Sequence, residues 1–175
     1  FGNAFVPEDA TTNAIAVGGG GTWDVTTVKD PFVVKDGSTY NMFYDGQGAT
    51  GYQIGLATAT DPAGPWTKDA GNPLVTRSAG HENNIQFAYV VKDETEGDTS
   101  RRGNMLYSGF SSTDSKFRIF YAYAAAAAGP WTKHGSAVLG PGSVGDFDEN
   151  GCNNPVILWY NGQWEVWYAG FSTDP

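Results

Sequence analysis

Ile54-Gly-Leu-Ala-Thr-Ala-Thr-Asp-Pro-Ala-Gly-Pro-Trp66-Thr-Lys68 returns later in the chain as Ile119-Phe-Tyr-Ala-Tyr-Ala-Ala-Ala-Ala-Ala-Gly-Pro-Trp131-Thr-Lys133. The two tryptophans stand 65 residues apart, each twelve residues after its isoleucine. Self-similarity at such a spacing is the signature of a repeat architecture, one supersecondary unit per copy. Working upstream, Asn41-Met-Phe-Tyr-Asp-Gly46 matches Asn104-Met-Leu-Tyr-Ser-Gly109 and Glu165-Val-Trp-Tyr-Ala-Gly170. Further upstream, Trp23-Asp-Val-Thr-Thr-Val-Lys-Asp-Pro31 matches Phe147-Asp-Glu-Asn-Gly-Cys-Asn-Asn-Pro155 at equal length. Asp24 falls on Asp148, Asp30 on Asn154 and Pro31 on Pro155. Aligning Val-Val-Lys-Asp at 33–36 and 90–93 puts His81 opposite Asp24 and Phe87 opposite Asp30 in the middle copy.

Each copy reads as four strands. A short apolar run opens it (Phe32 to Val34, Tyr89 to Val91, Val156 to Leu158). Asp36-Gly37 and Asn161-Gly162 follow in the first and third copies, pairs that tolerate the positive φ of hairpin turns. An alternating strand comes next (Tyr40 to Tyr44, Met105 to Tyr107, Trp164 to Tyr168), then a third around Ile54 to Thr58, and a fourth that carries the tryptophan of Pro-Trp-Thr-Lys. Four antiparallel strands per unit of roughly 57–65 residues describe a propeller blade. The expected fold class is therefore all-β, a β-propeller of four-stranded antiparallel blades, with about two and a half blades in this chain. The divisions are a lead-in or closing strand with a Gly-rich linker at 1–22, blade 1 at 23–78, blade 2 at 79–143 and a partial blade 3 at 144–175. Ala124 to Ala128 is a run of the best helix former. Five residues make a marginal helix without tertiary support, so the repeat takes precedence and a turn is expected there.

Composition agrees. With 24 glycines in 175 residues, 14% aromatic and only 17% charged side chains, the chain suits strands and turns better than a helical bundle. Its net charge of −9 repels phosphate backbones, which argues against a nucleic-acid partner. No apolar run approaches the ~18 residues of a membrane span. Cys152 is the single cysteine, so no intrachain disulfide forms. Its alignment with Val28 marks it as a small packed side chain rather than a nucleophile. A start at Phe1 without methionine is expected of a processed mature protein or of a fragment, and the acidity suits an extracellular or cell-surface protein. A half ring exposes blade faces and a sheet edge, so further chain or a partner subunit is expected to complete the propeller.

The pattern Trp-Asp-x4-Lys-Asp-Pro-Phe-Val-Val-Lys-Asp-Gly-x-x-Tyr-x-Met-Phe-Tyr from Trp23, followed by Ile-Gly-Leu-Ala-Thr-Ala-Thr-Asp-Pro and Pro-Trp-Thr-Lys, resembles the five-bladed propeller glycoside hydrolases of families 43, 62, 32 and 68 and their relatives. The resemblance covers about residues 23–175. It implies five blades around a funnel lined by the innermost strands. It also implies a general-base Asp in an Asp-Pro at the start of the first inner strand, a second Asp that tunes it, and a Glu as general acid on a later blade. One carboxylate must be ionised to activate water and another protonated to serve the leaving oxygen.

On this resemblance Asp30, in Lys29-Asp30-Pro31, matches the base, although an Asp before Pro also forms ordinary turns. The other bulk of candidate carboxylates lies at the equivalent level: Glu82, Asp148 and Glu149 are candidates for the acid or the tuning group, with solvated loop carboxylates as the alternative. Alternation along a strand allows only one of each neighbouring pair to point inward. Trp23, Asp24, His81 and Asn154 are candidates for substrate binding, Trp23 by stacking on a sugar ring as Phe147 and Tyr89 also could. Trp66 and Trp131, in register, are expected to pack in the blades.

His81-Glu82-Asn83-Asn84-Ile85 lacks the second histidine and the helix of a zinc motif. Asp146-Phe-Asp148-Glu-Asn150-Gly151 fits the first half of a calcium loop, with oxygen ligands at Asp146, Asp148 and Asn150. The twelfth position is Ile157, so an EF-hand is excluded, and an acidic turn without metal is the alternative. No cofactor is required by the expected chemistry. The leading expectation is a carbohydrate-active propeller that hydrolyses a glycosidic bond of a poly- or oligosaccharide. The alternative is a non-catalytic carbohydrate-binding or structural propeller module of a cell envelope or virion surface.

Overall fold

The computed structural model describes residues 13–172. Most of the proposed lead-in and the last three residues of the third unit lie outside the described residues. Ten strands follow one another: β1 (Thr27–Asp36), β2 (Thr39–Gly48), β3 (Gly51–Ala59), β4 (Thr67–Lys68), β5 (Asn84–Lys92), β6 (Gly103–Phe110), β7 (Phe117–Ala124), β8 (Thr132–Leu139), β9 (Cys152–Tyr160) and β10 (Gln163–Gly170). They form two four-stranded antiparallel sheets, β1-β2-β3-β4 and β5-β6-β7-β8, and a two-stranded sheet, β9-β10. This is a partial propeller: two complete blades and the inner half of a third.

The blades stack through alternation. Residues of one parity on β1 and β2 (Phe32, Val34, Phe43) meet residues of the other parity on the next blade (Ile85, Val90, Met105) in one buried cluster. The same positions one blade on, Tyr89, Val91 and Leu106, meet Cys152 and Ile157 in another. Phe32 and Tyr89, equivalent residues of neighbouring inner strands, touch with ring centroids 4.5 Å apart. The inner strands β1, β5 and β9 thus lie side by side around the axis, and every blade repeats one face-to-face contact.

Trp66 packs with Met42, Tyr44 and Ala57, and Trp131 packs edge-on against Phe43 of the preceding blade. Both tryptophans stand just before the fourth strand rather than inside it, since β4 begins at Thr67 and β8 at Thr132. The invariant glycine of the motif has a local cause. Gly64 (φ +97) and Gly129 (φ +89) occupy left-handed backbone, and a Cβ there would lie 3.1 and 2.9 Å from the indole of the tryptophan two residues on. The alanine run is a turn after β7. Ala127 is wholly buried, and its N–H donates to Asp36 of blade 1 at 3.2 Å. Lys92 reaches the same carboxylate at 2.6 Å. A helix there would forfeit this contact between blades.

Candidate active site

The start of each inner strand is irregular in the same way. Register slips between Lys29 and Phe32 on β1, and between Gln86 and Tyr89 on β5. It slips again opposite β9, between Trp167 and Ala169. At the slip stand Asp30, Phe87 and Asn154, with φ of 50°, 58° and 50°. Left-handed backbone is uncommon outside glycine and costs on the order of 1 kcal/mol or more. Three bulges at one level of one ring are a built feature that re-aims a side chain. The aligned positions are an acid, a phenyl ring and an amide.

Asp30 is open to solvent, with 37% of its side chain exposed. Lys29 Nζ lies 2.6 Å from its carboxylate and 3.9 Å from that of Asp45 on β2. The ammonium is held over the rings of Tyr52 (4.6 Å) and Phe87 (5.1 Å). Asp45 is wholly buried. It accepts the backbone N–H of Phe87 at 3.1 and 3.2 Å. Burial pushes its carboxyl up to about 8; the Phe87 N–H and Lys29 oppose this, and the neighbouring Asp30 adds to it. The sequence reading did not single out Asp45. The signal was present, since Asp45 aligns with Ser108 and Ala169, and a charge replaces small side chains at a strand position that alternation predicts to be buried.

The remaining candidate residues assemble elsewhere, inside the blades. Asp24 is buried and accepts from Tyr44, Thr22 and Lys68. Glu82 accepts from Tyr107 (2.7 Å), Ser78 (2.6 Å) and Lys133 (2.9 Å). Asp148 accepts from Tyr168 at 2.9 Å. These are one network repeated: a loop carboxylate, the tyrosine of the second strand and, in the two complete blades, the lysine of Trp-Thr-Lys on the fourth. Glu82 therefore occupies the place of Asp24 and Asp148, and His81, which the sequence alignment put there, is exposed one residue earlier. Only five residues separate Glu82 from the bulge at Phe87, against six in the other blades, and the longer glutamate side chain restores the reach. Burial alone would raise the Glu82 carboxyl, but Ser78, Lys133 and Tyr107 outweigh it and hold the group below its ordinary value.

Trp23 and Phe147, expected at the funnel mouth, also lie in the blades. Trp23 covers Tyr44 with centroids 5.6 Å apart, and Phe147 covers Tyr168 at 5.7 Å. Tyr89 is at the blade interface described above. Glu149 turns back to accept the Gly145 N–H at 2.7 Å.

In the segment read as the first half of a calcium loop, the oxygens make hydrogen bonds within the protein. Asp146 caps the Ser143 N–H at 2.7 Å, Asp148 is taken by Tyr168, and Asn150 donates its backbone N–H to Phe171. Among the described residues no group of three or more His, Cys, Asp or Glu side chains converges to hold a metal. Nor, among them, is any helix long and apolar enough to cross a membrane.

No protein-family model and no curated protein matches the chain. Solved structures do. A family 117 glycoside hydrolase produced by the marine bacterium Zobellia galactanivorans superposes with a TM-score of 0.66 at 17% identity, over 82% of this chain and 48% of that one. A glycosyl hydrolase from Bacteroides ovatus gives 0.62 at 16% identity, over 84% and 44%. The β-1,2-mannobiose phosphorylase from Listeria innocua gives 0.62 at 15% identity, over 87% and 39%. The chain has the fold of the propeller glycoside hydrolases. At these identities the likeness is one of fold, and this stretch of propeller spans less than half the length of each of the three. Within that fold the bulge carrying Asp30 lies at the start of the innermost strand of a blade.

Proposed function

We propose that the chain forms part of a glycoside hydrolase in which Asp30 is the general base. One observation carries the reading: of three equivalent bulges around the ring, the one in blade 1 bears a solvent-open carboxylate backed by a second, buried one. Ionised Asp30 takes a proton from water as the water oxygen bonds to the anomeric carbon. The bond to the leaving oxygen breaks, and that oxygen takes a proton from a carboxylic acid across the site. In this reading Glu82, held by Tyr107, Ser78 and Lys133, and Asp148, held by Tyr168, serve their own blades and the acid comes from elsewhere. The carbohydrate-processing neighbours support the substrate class. Turnover of a panel of aryl glycosides and polysaccharides, followed as released reducing ends, is expected to vanish in Asp30→Asn while sugar binding persists. Undiminished turnover in that variant rejects the assignment.

Phe87 and Asn154 at the other two bulges favour a second reading, a rim that binds sugar without cutting it: a ring to stack on and an amide to hydrogen-bond. Saturable binding on a glycan array, with no reducing ends released from any bound glycan, selects this reading over the first.

A further inference from the structure

The end of the blade 1 sheet that carries Asp30 also carries a polar cavity farther out. Gln53 on β3 stands opposite Gly46, which stands opposite Val28 on β1. Gln53 therefore lies two strand spacings, about 10 Å, outward from the backbone that leads into Lys29 and Asp30. Together with Thr50, Arg77, Ser78 and Asn83 it lines a cavity of about 460 Å³, a size that suits a small ligand. The lining offers donors. Arg77 is half-buried; its guanidinium donates to the Asn83 backbone oxygen at 3.4 Å and, among the described residues, pairs with no carboxylate. The Gln53 side-chain oxygen accepts the Arg77 backbone N–H at 3.3 Å. The Asn83 side-chain oxygen accepts the Ser112 N–H at 2.8 Å and the Ser112 hydroxyl at 2.9 Å. Both amides have thus engaged their acceptor, and their NH2 groups remain to donate. The carboxylate of the same connection, Glu82, is turned into blade 2 and neutralised by Lys133 at 2.9 Å.

Blade 2 treats its arginine differently. Gln53 aligns with Arg118, as Ile54 aligns with Ile119, and Arg118 is gripped by the carboxylate of Asp114. Asp114 belongs to the connection from β6 to β7, Ser111 to Lys116, whereas β2 and β3 are joined by Ala49 and Thr50 alone. The short hairpin brings no acid to Arg77. A surface of net charge −9 repels anions at long range, so an anion at this place is held by local donors: a planar guanidinium fork and two amides.

We propose that this cavity is a subsite for an acidic sugar. Arg77 takes an oxyanion substituent, a uronate carboxylate or a sulfate ester, in a charge-assisted contact, and the amides of Gln53 and Asn83 donate beside it. The ligand is then a charged poly- or oligosaccharide that reaches from the Asp30 bulge to the connection between blades 1 and 2. The inference rests on the carbohydrate reading above and is independent of Asp30 as base.

Binding tests this in the Asp30→Asn background, where bound glycans are expected to stay uncut. The probe is a glycan array carrying uronate glycans beside their methyl esters and sulfated glycans beside their desulfated forms, with affinities of the bound members measured by calorimetry. Charged members are expected to bind more tightly than their neutral partners, and the two arms show whether carboxylate or sulfate is preferred. Adding Arg77→Gln should weaken the charged member about ten- to hundred-fold, the size of a lost hydrogen bond to a charged group, and leave its neutral partner unchanged. Thr50→Asp keeps the arginine and offers it a hairpin carboxylate of the kind that Asp114 gives Arg118; it too should erase the preference. Equal binding of charged and neutral partners overturns the proposal, as does a preference that survives both variants or binding of inorganic sulfate alone. An array on which nothing binds removes the carbohydrate reading and this subsite with it. Full turnover in Asp30→Asn removes only the base assignment, and a charge preference that depends on Arg77 still stands.

Discussion

Two buried carboxyl groups, Asp45 and Glu82, behave differently because their partners differ. Asp45 has only an ammonium shared with Asp30 against it, and burial pushes its carboxyl up to about 8. Glu82 has a lysine, a serine and a tyrosine to itself and stays ionised. The tyrosines respond in turn: burial, and then the adjacent carboxylate, raise Tyr44 and Tyr107 far above the ordinary phenol, so both remain donors. For Glu82 the linkage has a definite sign. Its folded-state value is depressed below the ordinary 4.5, so its contribution to stability is full above that value and is lost as pH falls through the folded one. Removing the cation in Lys133→Met leaves the buried carboxylate without its charge partner. The expected loss at neutral pH is about 1–3 kcal/mol. The gap between variant and parent should narrow in acid, where Glu82 is protonated in both. Urea midpoints at neutral pH and below the Glu82 transition check this; a gap that does not depend on pH would mean that Lys133 acts by packing alone.

At the scale of the strand, the first two blades solve one packing problem in two ways. In blade 1 the ring that covers the buried tyrosine comes from the loop: Trp23 lies on Tyr44, and a Cβ at Gly55 would stand 2.7 Å from both rings. In blade 2 the position of Gly55 is Phe120, which itself stacks on Tyr107 at 5.7 Å, and the loop supplies only His81. Gly55→Ala should therefore cost about 1–3 kcal/mol by overpacking. Gly55→Phe combined with Trp23→Ala, which transplants the blade 2 solution, should cost less than the two single changes added together; strict additivity in urea midpoints would refute the equivalence. Here too lies the boundary of what the sequence disclosed. The copies of Gly-Pro-Trp-Thr-Lys and Asn-Met-x-Tyr were enough to lay out strands and blades, because strand spacing and close-packed glycines tolerate little change. The loops before β1 and β5 differ by a deletion, and Asp becomes Glu to compensate. Apolar anchors alone therefore aligned His81 where Glu82 belongs, and left the carboxylates of the blade networks looking like site residues. Asp30 was legible through Asp-Pro at the strand start. Asp45 was not, because its meaning depends on a bulge one blade away.

Across the whole molecule, the two interfaces already formed define what the outer faces are made for. Phe32, Val34 and Phe43 meet blade 2, and Tyr89, Val91 and Leu106 meet blade 3; the third set, Val156, Leu158 and Trp167, is left 40%, 54% and 62% exposed. On the opposite face of blade 1, Val33 is 43% exposed where its counterpart Val90 is 1% exposed. Beside it Val28, Met42 and Tyr44 line a cavity of about 240 Å³. The described residues thus present two different apolar faces, one at each end of the stack, built from positions that elsewhere join successive blades. Apolar surface of this kind drives association, and two unlike complementary faces join head to tail rather than by self-pairing. This polypeptide, produced by itself, is expected to associate with a size that grows with concentration in sedimentation velocity. Burying a Leu or Trp is worth about 1.5–3 kcal/mol each, so Leu158→Lys with Trp167→Glu should weaken association on the order of 10²-fold or more. The far-ultraviolet circular dichroism should not change, because neither side chain supports the β9–β10 ladder. A polypeptide that sediments as a monomer at every concentration, with or without the two substitutions, would show that these faces do not recognise one another and that blade stacking needs more than the repeated apolar positions.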